Sequence, residues 1–436
     1  MAIARIDATN RSKFEYWRWR TFYSIFFGYV FYYFTRKSFT FAMPALISDM
    51  GFDKSDLGIL VTVFSITYGV SKFISGIIGD KSNPRYFMGI GLIMTGILNI
   101  CFGLSSHLCL FILFWGLNGW FQGFGWPPCA RMLAYWYSPR TRGTWWGIWS
   151  TSHNIGGALI PVIAAFCIEY FNWRVAMFLP GIICIIMGFW LMERLRDTPA
   201  SLGLPSAEGI DGVEEAPSKN ALKKLSTKEI LFKYVLFNKY IWFLCAANFF
   251  VYVVRTGFND WIMLYLSEER GLTLFEAGVT IPWFEAGGII GMLLAGWCSD
   301  KIFNGNRGII SLAFMFLVLV PTAMFWLHPG SNYIIDAGLM FFIGFFIFGP
   351  QMLIGCAAAE KSHQDAAATA SGFAGTFGYL GAACAGYPFG LLLDSYGWNG
   401  FFIAMIVASF LGALCFIPFI SVGYRRAPEK SVAISS

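Results

Sequence analysis

The sequence predicts an all-α integral membrane protein, with twelve transmembrane helices in two pseudo-symmetric six-helix halves. Three observations carry this expectation. First, the 436 residues are 57% hydrophobic and only 13% charged, with a mean hydropathy of +0.59; a soluble chain carries roughly 25% charged residues. Second, apolar windows of about 20 residues, the length that spans a bilayer as a helix, recur along the whole chain. Third, different features repeat at one offset. Arg36 and Arg255 are 219 residues apart, and two G-x-x-x-D-K motifs set Asp80 and Asp300 220 apart.

The expected spans follow in order. The first, 21–46, contains TFYSIFFGYVFYYFTR and ends that run on Arg36. Ahead of it, residues 1–20 are polar and basic, so no cleavable signal is expected. Their segment RSKFEYWRWR mixes arginines with aromatics, which predicts a helix lying at the cytoplasmic interface. Span 55–79 carries Lys72 and runs into the first motif, GIIGDK. Spans 86–105 and 108–130 follow, the latter with GLNGWFQGFGWPP. Span 143–168 holds His153 and Asn154 in HNIGGALIP, and 174–192 completes the first half. Residues 193–239, with Pro199, Pro205 and Pro217, read as a cytoplasmic linker that acts as a tether, helical over 223–234. The second half runs 240–266 with Arg255, then 275–298 with Glu285 and the second motif, GWCSDK. Spans 308–327, 332–357, 366–392 and 399–421 follow, before a cytoplasmic tail, 422–436. Glycines concentrate in spans 4, 5, 10 and 11, equivalent positions in the two halves. There they let helices approach closely or bend around a cavity. Trp136, Trp145, Trp146, Trp149, Trp173 and Trp398 sit near span ends and read as interfacial anchors.

Charge placement sets the orientation. Lys54, Arg174 and Arg270 are the basic residues of one set of loops; Arg36, Lys37, Lys72 and Arg255 lie within spans. Every other lysine and arginine falls in the opposite set of segments, which places both termini in the cytoplasm. The net charge of +6 is this asymmetry. It is spread over many short segments, so no nucleic-acid partner is expected. The ten cysteines form no CxxC pair, which implies no disulfide or metal framework. No phosphate-binding G-x-x-x-x-G-K-[ST] loop is present. Neither a cofactor nor an enzymatic activity is expected.

The chemistry resides in the buried charges. A charge at the bilayer centre costs at least about 2.5–3.5 kcal/mol. Two arginines at a shared midplane site therefore need a wet cavity and an anionic partner, and their planar forks suit a phosphate or carboxylate. Lys37 points about 100° away from Arg36 on the helix; it either pairs with Asp260 across the halves or snorkels. Lys72 either meets the approaching anion or snorkels to the cytoplasm. His153 is a ligand contact or a satisfied packing histidine. Glu285 is expected to pair with Arg255 or Lys37 in one state of the cycle, with proton coupling as the alternative. Asp80 and Asp300 end their spans at the cytoplasmic surface, where they would lock neighbouring helices.

The motifs YYFTRKSFTFAMP, YGVSKFISGIIGDKSNPR, NGWFQGFGWPPC, SHNIGGALIP, DKIFNGNRG and FGPQMLIG resemble the organophosphate:phosphate antiporters of the major facilitator superfamily. The resemblance covers residues 15–420. VYVVRTGFNDW and FIFGPQMLIGCAAAEKSH place it nearest the bacterial hexose-phosphate branch, including its sensor-like member. It implies the major facilitator fold, a phosphate grip by Arg36 and Arg255, and pocket positions at His153, Lys72, Tyr29, Tyr33 and Tyr379. A further pocket tyrosine of the glycerol-3-phosphate branch falls on Phe348. The Asp and Lys that the hexose-6-phosphate transporter carries in its eleventh helix are absent from YLGAACAGYP. Sugar contacts are therefore expected from Gln122, Trp126, Asn154 and Gln351. The implied function is exchange of a hexose 6-phosphate, glucose 6-phosphate foremost, for inorganic phosphate by a monomer in the bacterial inner membrane. The alternatives are another organophosphate, such as glycerol 3-phosphate, or a sugar-phosphate receptor signalling to a membrane kinase partner.

Overall fold

The structure is a computed structural model that describes residues 8–79, 82–211, 235–303, 305–328, 332–362 and 367–420. Its first half comprises α1 (Ala8–Met50), α2 (Lys54–Gly79), α3 (Pro84–Leu104), α4 (Leu108–Gln122), α5 (Trp126–Trp136), α6 (Pro139–Tyr170) and α7 (Trp173–Arg194). The second comprises α8 (Lys239–Glu268), α9 (Leu274–Lys301), α10 (Arg307–Leu317), α11 (Leu319–Leu327), α12 (Tyr333–Lys361), α13 (Ala367–Cys384) and α14 (Tyr387–Leu414). Among the described residues these make twelve membrane passes. Nine stretches qualify by length and apolarity alone. One of these, Ala370–Phe419, is two passes joined at Gly397, which takes φ 62°; α1 and α2 complete the set.

The breaks have local causes. α4 and α5 form one pass interrupted at Gly123–Gly125, because Pro127 and Pro128 open α5 and cannot donate to the preceding turn. α10 and α11 meet at Val318. RSKFEYWRWR does not lie flat as a separate helix. It forms the first turns of the 43-residue α1, which at 1.5 Å per residue reaches roughly 64 Å and so extends beyond a hydrocarbon core of about 30 Å. The first part of the linker is docked rather than a tether. Leu204, Ala207 and Ile210 are buried, and Asp211 accepts from Arg18 at 3.1 Å and from Ser138 at 2.6 Å. The helix expected over 223–234 lies outside the described residues.

The same helix pairings recur in both halves. In the first, α1 packs on α6, α2 on α4 and α3 on α7; in the second, α8 packs on α13, α9 on α12 and α10 on α14. The α9–α12 contact is backbone to backbone. A Cβ on Gly287, Gly291 or Gly344 would collide with the carbonyl oxygens of Phe341, Phe345 and Phe284 respectively. Between the halves, α6 meets α9, and α2 meets α13 and α14, again an equivalent pair under the pseudo-twofold.

These seams close one end of the molecule, the end away from the linker. A Cβ on Gly58 would lie 2.8 Å from the Gly386 carbonyl oxygen. Thr62 donates to the Ala383 carbonyl at 2.8 Å. Asp394 accepts from the backbone N–H of Lys54 and Ser55 at 3.3 and 2.9 Å, and Lys54 pairs with Glu268 at 2.7 Å. Toward the linker end the halves part: Gly147, Gly372 and Gly375 have no neighbour within 4 Å of an added Cβ.

The tryptophans expected at the interface divide. Trp136, Trp149, Trp173 and Trp398 are buried. Trp149 donates to the Ile25 carbonyl at 3.3 Å, and Trp398 to Glu268 at 3.0 Å. An indole N–H near a span end thus binds another helix as readily as the headgroup region. Trp145 is half-buried against Trp19 and Phe22; the side chain of Trp146 lies outside the described residues.

The glycine contacts make a paired expectation. Gly291→Ala should lower the thermal unfolding midpoint of the purified protein, by the equivalent of about 1–3 kcal/mol for overpacking. Gly375→Ala, facing open space, should leave it unchanged or slightly raised, since alanine is the better helix former. Equal behaviour of the two would contradict the close α9–α12 approach.

Candidate functional site

One cavity of about 740 Å³ lies between the halves. Its walls follow from the duplication. On α1, Tyr33, Arg36, Lys37 and Thr40 share a face at i, i+3, i+4 and i+7. On α8, Tyr252, Arg255, Thr256 and Asn259 occupy the same register, each 219 residues later, and all eight line the cavity. Both halves therefore present a Tyr-x-x-Arg turn to a common space.

Neither guanidinium is neutralised there. Arg36 lies 4.4 Å from the centre of the Tyr33 ring and 4.6 Å from that of Tyr68. Its Nε donates to Gln122 Oε1 at 3.2 Å, while Nη2 is buried without a hydrogen-bond partner. Arg255 lies over Phe348 at 4.8 Å and Tyr252 at 5.7 Å, and its Nε is likewise buried and unsatisfied. No described carboxylate comes within 4.0 Å of either. Aromatic faces support a cation without cancelling its charge, so both forks keep donors for an oxyanion.

The carboxylates nearby are engaged elsewhere. Asp260 pairs with Lys37 at 2.5 Å, joining α8 to α1 across the halves. Glu285, only 2% exposed, accepts from Asn154 Nδ2 at 2.9 Å in this conformation; the pairing expected with Arg255 or Lys37 in one state of the cycle is not made here. Its carboxyl also packs against Gly157, where an added Cβ would lie 3.0 Å from Oε1. The missing side chain lets α6 bring Asn154 up to α9, so a neutral donor reaches Glu285 before either cation does.

Of the expected site residues, Tyr29, Tyr33, Arg36, Lys37, Lys72, Trp126, His153, Arg255, Asp260, Gln351 and Tyr379 line the cavity. Lys72 lies 4.9 Å from the Trp126 ring centre and 3.5 Å from the Tyr379 hydroxyl. His153 packs beside Tyr33 at 5.9 Å between ring centres. Gln351 Oε1 is buried without a partner. Two residues expected to touch sugar do not reach the cavity. Gln122 is fully buried, giving its amide to the Tyr32 carbonyl and Thr35 hydroxyl, both at 3.0 Å, and its oxygen to Arg36. It therefore holds the Arg36 Nε rather than facing the cavity. Asn154 is spent on Glu285. Asp80 and the side chain of Asp300 lie outside the described residues. At that end the described ion pairs include Arg131–Asp197 and Arg307–Glu360, each 3.1 Å.

Sequence reasoning missed Tyr68, Tyr252, Thr256, Asn259 and Ser371, which also line the cavity. A signal existed for two of them. Tyr68 lies one turn before Lys72 and Tyr252 one turn before Arg255, so each shares its partner's face.

The sequence pattern of the Major Facilitator Superfamily matches residues 25–386. A probable hexose phosphate transport protein of Chlamydia trachomatis serovar D is 57% identical over 94% of this chain and 92% of its own length. The membrane sensor protein UhpC of Escherichia coli K12 is 49% identical, over 95% of each chain. The hexose-6-phosphate:phosphate antiporter of the same strain is 36% identical, over 94% of this chain and 91% of its own. A solved structure of a bacterial homologue of the human lysosomal transporter Spinster, inward-facing and unoccupied, superposes with a TM-score of 0.78 at 14% identity, covering 94% of this chain and 99% of the other; that likeness is one of fold. The chain belongs to the Major Facilitator Superfamily, in its organophosphate:phosphate antiporter branch. It is a multi-pass membrane protein of transporter type, not an enzyme.

Two expectations follow from this geometry. Arg36→Lys and Arg255→Lys keep the charge but lose the planar fork. Each should weaken inorganic phosphate binding to the purified protein by about tenfold or more, the worth of a hydrogen bond to a charged group, with an unchanged melting profile; near-normal affinity in either would remove that arginine from the site. Gln122→Leu should weaken phosphate and sugar phosphate binding in parallel, by about tenfold, because it releases Arg36. A selective loss of sugar phosphate would restore Gln122 as a sugar contact.

Proposed function

We propose that this protein is a sugar-phosphate antiporter that exchanges a hexose 6-phosphate, with glucose 6-phosphate the favoured substrate, for inorganic phosphate. It works by alternating access in the bacterial inner membrane, with both termini cytoplasmic. The carrying observation is that each half contributes one unneutralised arginine, Arg36 and Arg255, to a single cavity. The hexose phosphate transport protein and the hexose-6-phosphate:phosphate antiporter among the relatives support the choice of substrate.

In this reading the phosphoryl group lies between the two forks, with Lys72 and His153 beside it. The sugar hydroxyls meet Gln351, Asn259 and the Tyr29, Tyr33 and Tyr379 hydroxyls, while Trp126 offers an apolar face. The basic loop residues at the linker end support a cytoplasmic linker, and in this reading the cavity opens inward. Lys37–Asp260, Lys54–Glu268 and Asn154–Glu285 hold the outer side shut.

The same charges explain obligatory exchange. Closing an empty site brings two guanidiniums together. At about 6–8 Å and an effective dielectric near 20 they repel by roughly 2–3 kcal/mol, and losing water adds several kcal/mol per ion. A bound phosphate reverses that sign. Ligand therefore favours the occluded state, which is the differential affinity a population shift requires.

Liposomes loaded with inorganic phosphate should take up labelled glucose 6-phosphate, and liposomes without internal counter-substrate should not accumulate it. Equal uptake in both would refute the repulsion argument. A second reading, a sugar-phosphate receptor signalling to a kinase partner, is favoured by the 49% identity to UhpC. It is supported instead if purified protein binds glucose 6-phosphate but neither liposome preparation takes it up.

A further inference from the structure

The linker end of α7 carries a cluster of charge that the cavity does not use. Four arginines converge there: Arg20 from α1, Arg85 from the start of α3, Arg194 from the last turn of α7 and Arg196 just beyond it. The guanidinium carbons of Arg20 and Arg196 lie 4.8 and 5.0 Å from the centre of the same Trp17 ring. Arg85 Nε donates to the Met192 carbonyl. Arg196 Nη1 donates to the carbonyls of Glu193 and Leu195, at 2.8 and 2.7 Å. Among the described residues Glu193 is the carboxylate paired with two of the four, taking Arg20 at 2.6 Å and lying 3.4 Å from Arg194. Arg20 Nε is buried without a hydrogen-bond partner, while Arg194 Nε is the atom that faces Glu193 Oε2. Burial, followed by the guanidiniums of Arg85 and Arg20, holds the Arg196 pKa below the ordinary arginine value.

Orientation in a membrane requires basic residues on one side; it does not require them to meet. Like charges fixed around one point by carbonyls and a shared ring repel each other, and an anion among them relieves that repulsion. The neighbouring surface says which anion. Ile182, Ile186 and Phe189 follow one another on the exposed face of α7, at 49, 61 and 61% exposure. One turn beyond Phe189 on this face stands Glu193, the carboxylate that takes Arg20 and lies beside Arg194. A phosphodiester headgroup would take the guanidinium forks, and its acyl chains would cover the stripe. A soluble phosphate would leave the stripe unused. Basic pockets at the cytoplasmic ends of transmembrane helices suit anionic headgroups on general grounds.

We propose that Arg20, Arg85, Arg194 and Arg196 form a headgroup site for an anionic phospholipid whose acyl chains lie along the exposed face of α7. The test is native mass spectrometry of the full-length purified protein with phosphatidylglycerol or with phosphatidylcholine of the same chain length. Phosphatidylglycerol should be retained at clearly higher occupancy. The pair Arg85→Gln and Arg196→Gln should weaken its retention by about tenfold or more, and the pair Arg85→Lys and Arg196→Lys should preserve most of it. Equal retention of the two lipids overturns the proposal, as does full phosphatidylglycerol occupancy in the glutamine pair. Displacement of the lipid by millimolar inorganic phosphate would assign the cluster to a soluble anion and also overturn it. The lipid comparison and the phosphate competition use the unmodified protein, so they decide the matter even if a variant fails to fold.

Discussion

The structure depends on two like charges held where charge is expensive. Arg36 and Arg255 lie in one cavity, over aromatic rings, with no described carboxylate in ion-pairing range. Tyr33, Tyr68, Tyr252 and Phe348 present π faces that support a cation, and Gln122 fixes one guanidinium through a neutral oxygen. The site is thus left positive. A dianion entering it gains from both forks at once, and the gain is largest when the halves close and water is excluded.

Leaving the arginines unpaired required the nearby acids to go elsewhere. Asp260 goes to Lys37 and Glu285 to Asn154, and both contacts cross between the halves. Both acids therefore belong to the seam, Asp260 while also lining the cavity. Lys54–Glu268 and the Asp394 contacts with the start of α2 extend the seam outward. In the proposed cycle these pairs must break for the outer side to open, which costs free energy unless the partners are rehydrated. A bound anion and an intact outer seam then act on one equilibrium from two places.

Both ends of the first half use arginine differently from the centre. At the linker end Arg18 fastens Asp211 and hence the start of the linker. Arg174, at the other end, caps α3 through the Gly103 and Ser105 carbonyls. Those contacts are made within the protein itself, though Arg18 Nε is left without a hydrogen-bond partner. Around Trp17 the described ion pairs bring one carboxylate, Glu193, to four arginines, which is why a lipid anion is inferred there.

The sequence determined the twelve passes, the duplication and the two arginines, because each rests on properties of short stretches. Apolar length fixes a span, a repeated offset fixes the halves, and a charge inside a span demands a reason. The turn that places Tyr33 with Arg36, and Tyr252 with Arg255, was legible too, since helical periodicity alone decides it. What only the tertiary structure decided is which polar group meets which. Gln122 and Asn154 looked like ligand contacts because the sugar-selecting residues that the resemblance implies are absent, and other polar residues of the spans were expected to replace them. Gln122 turned out to hold Arg36, and Asn154 to hold Glu285. Likewise the tryptophans near span ends turned inward, and RSKFEYWRWR continued α1 instead of lying flat. A single chain specifies how a helix is built and which face it buries. The partner across a helix–helix contact depends on the rotation and closeness of two helices far apart in sequence, here set by glycines such as Gly157 and Gly291, and no local pattern encodes that distance.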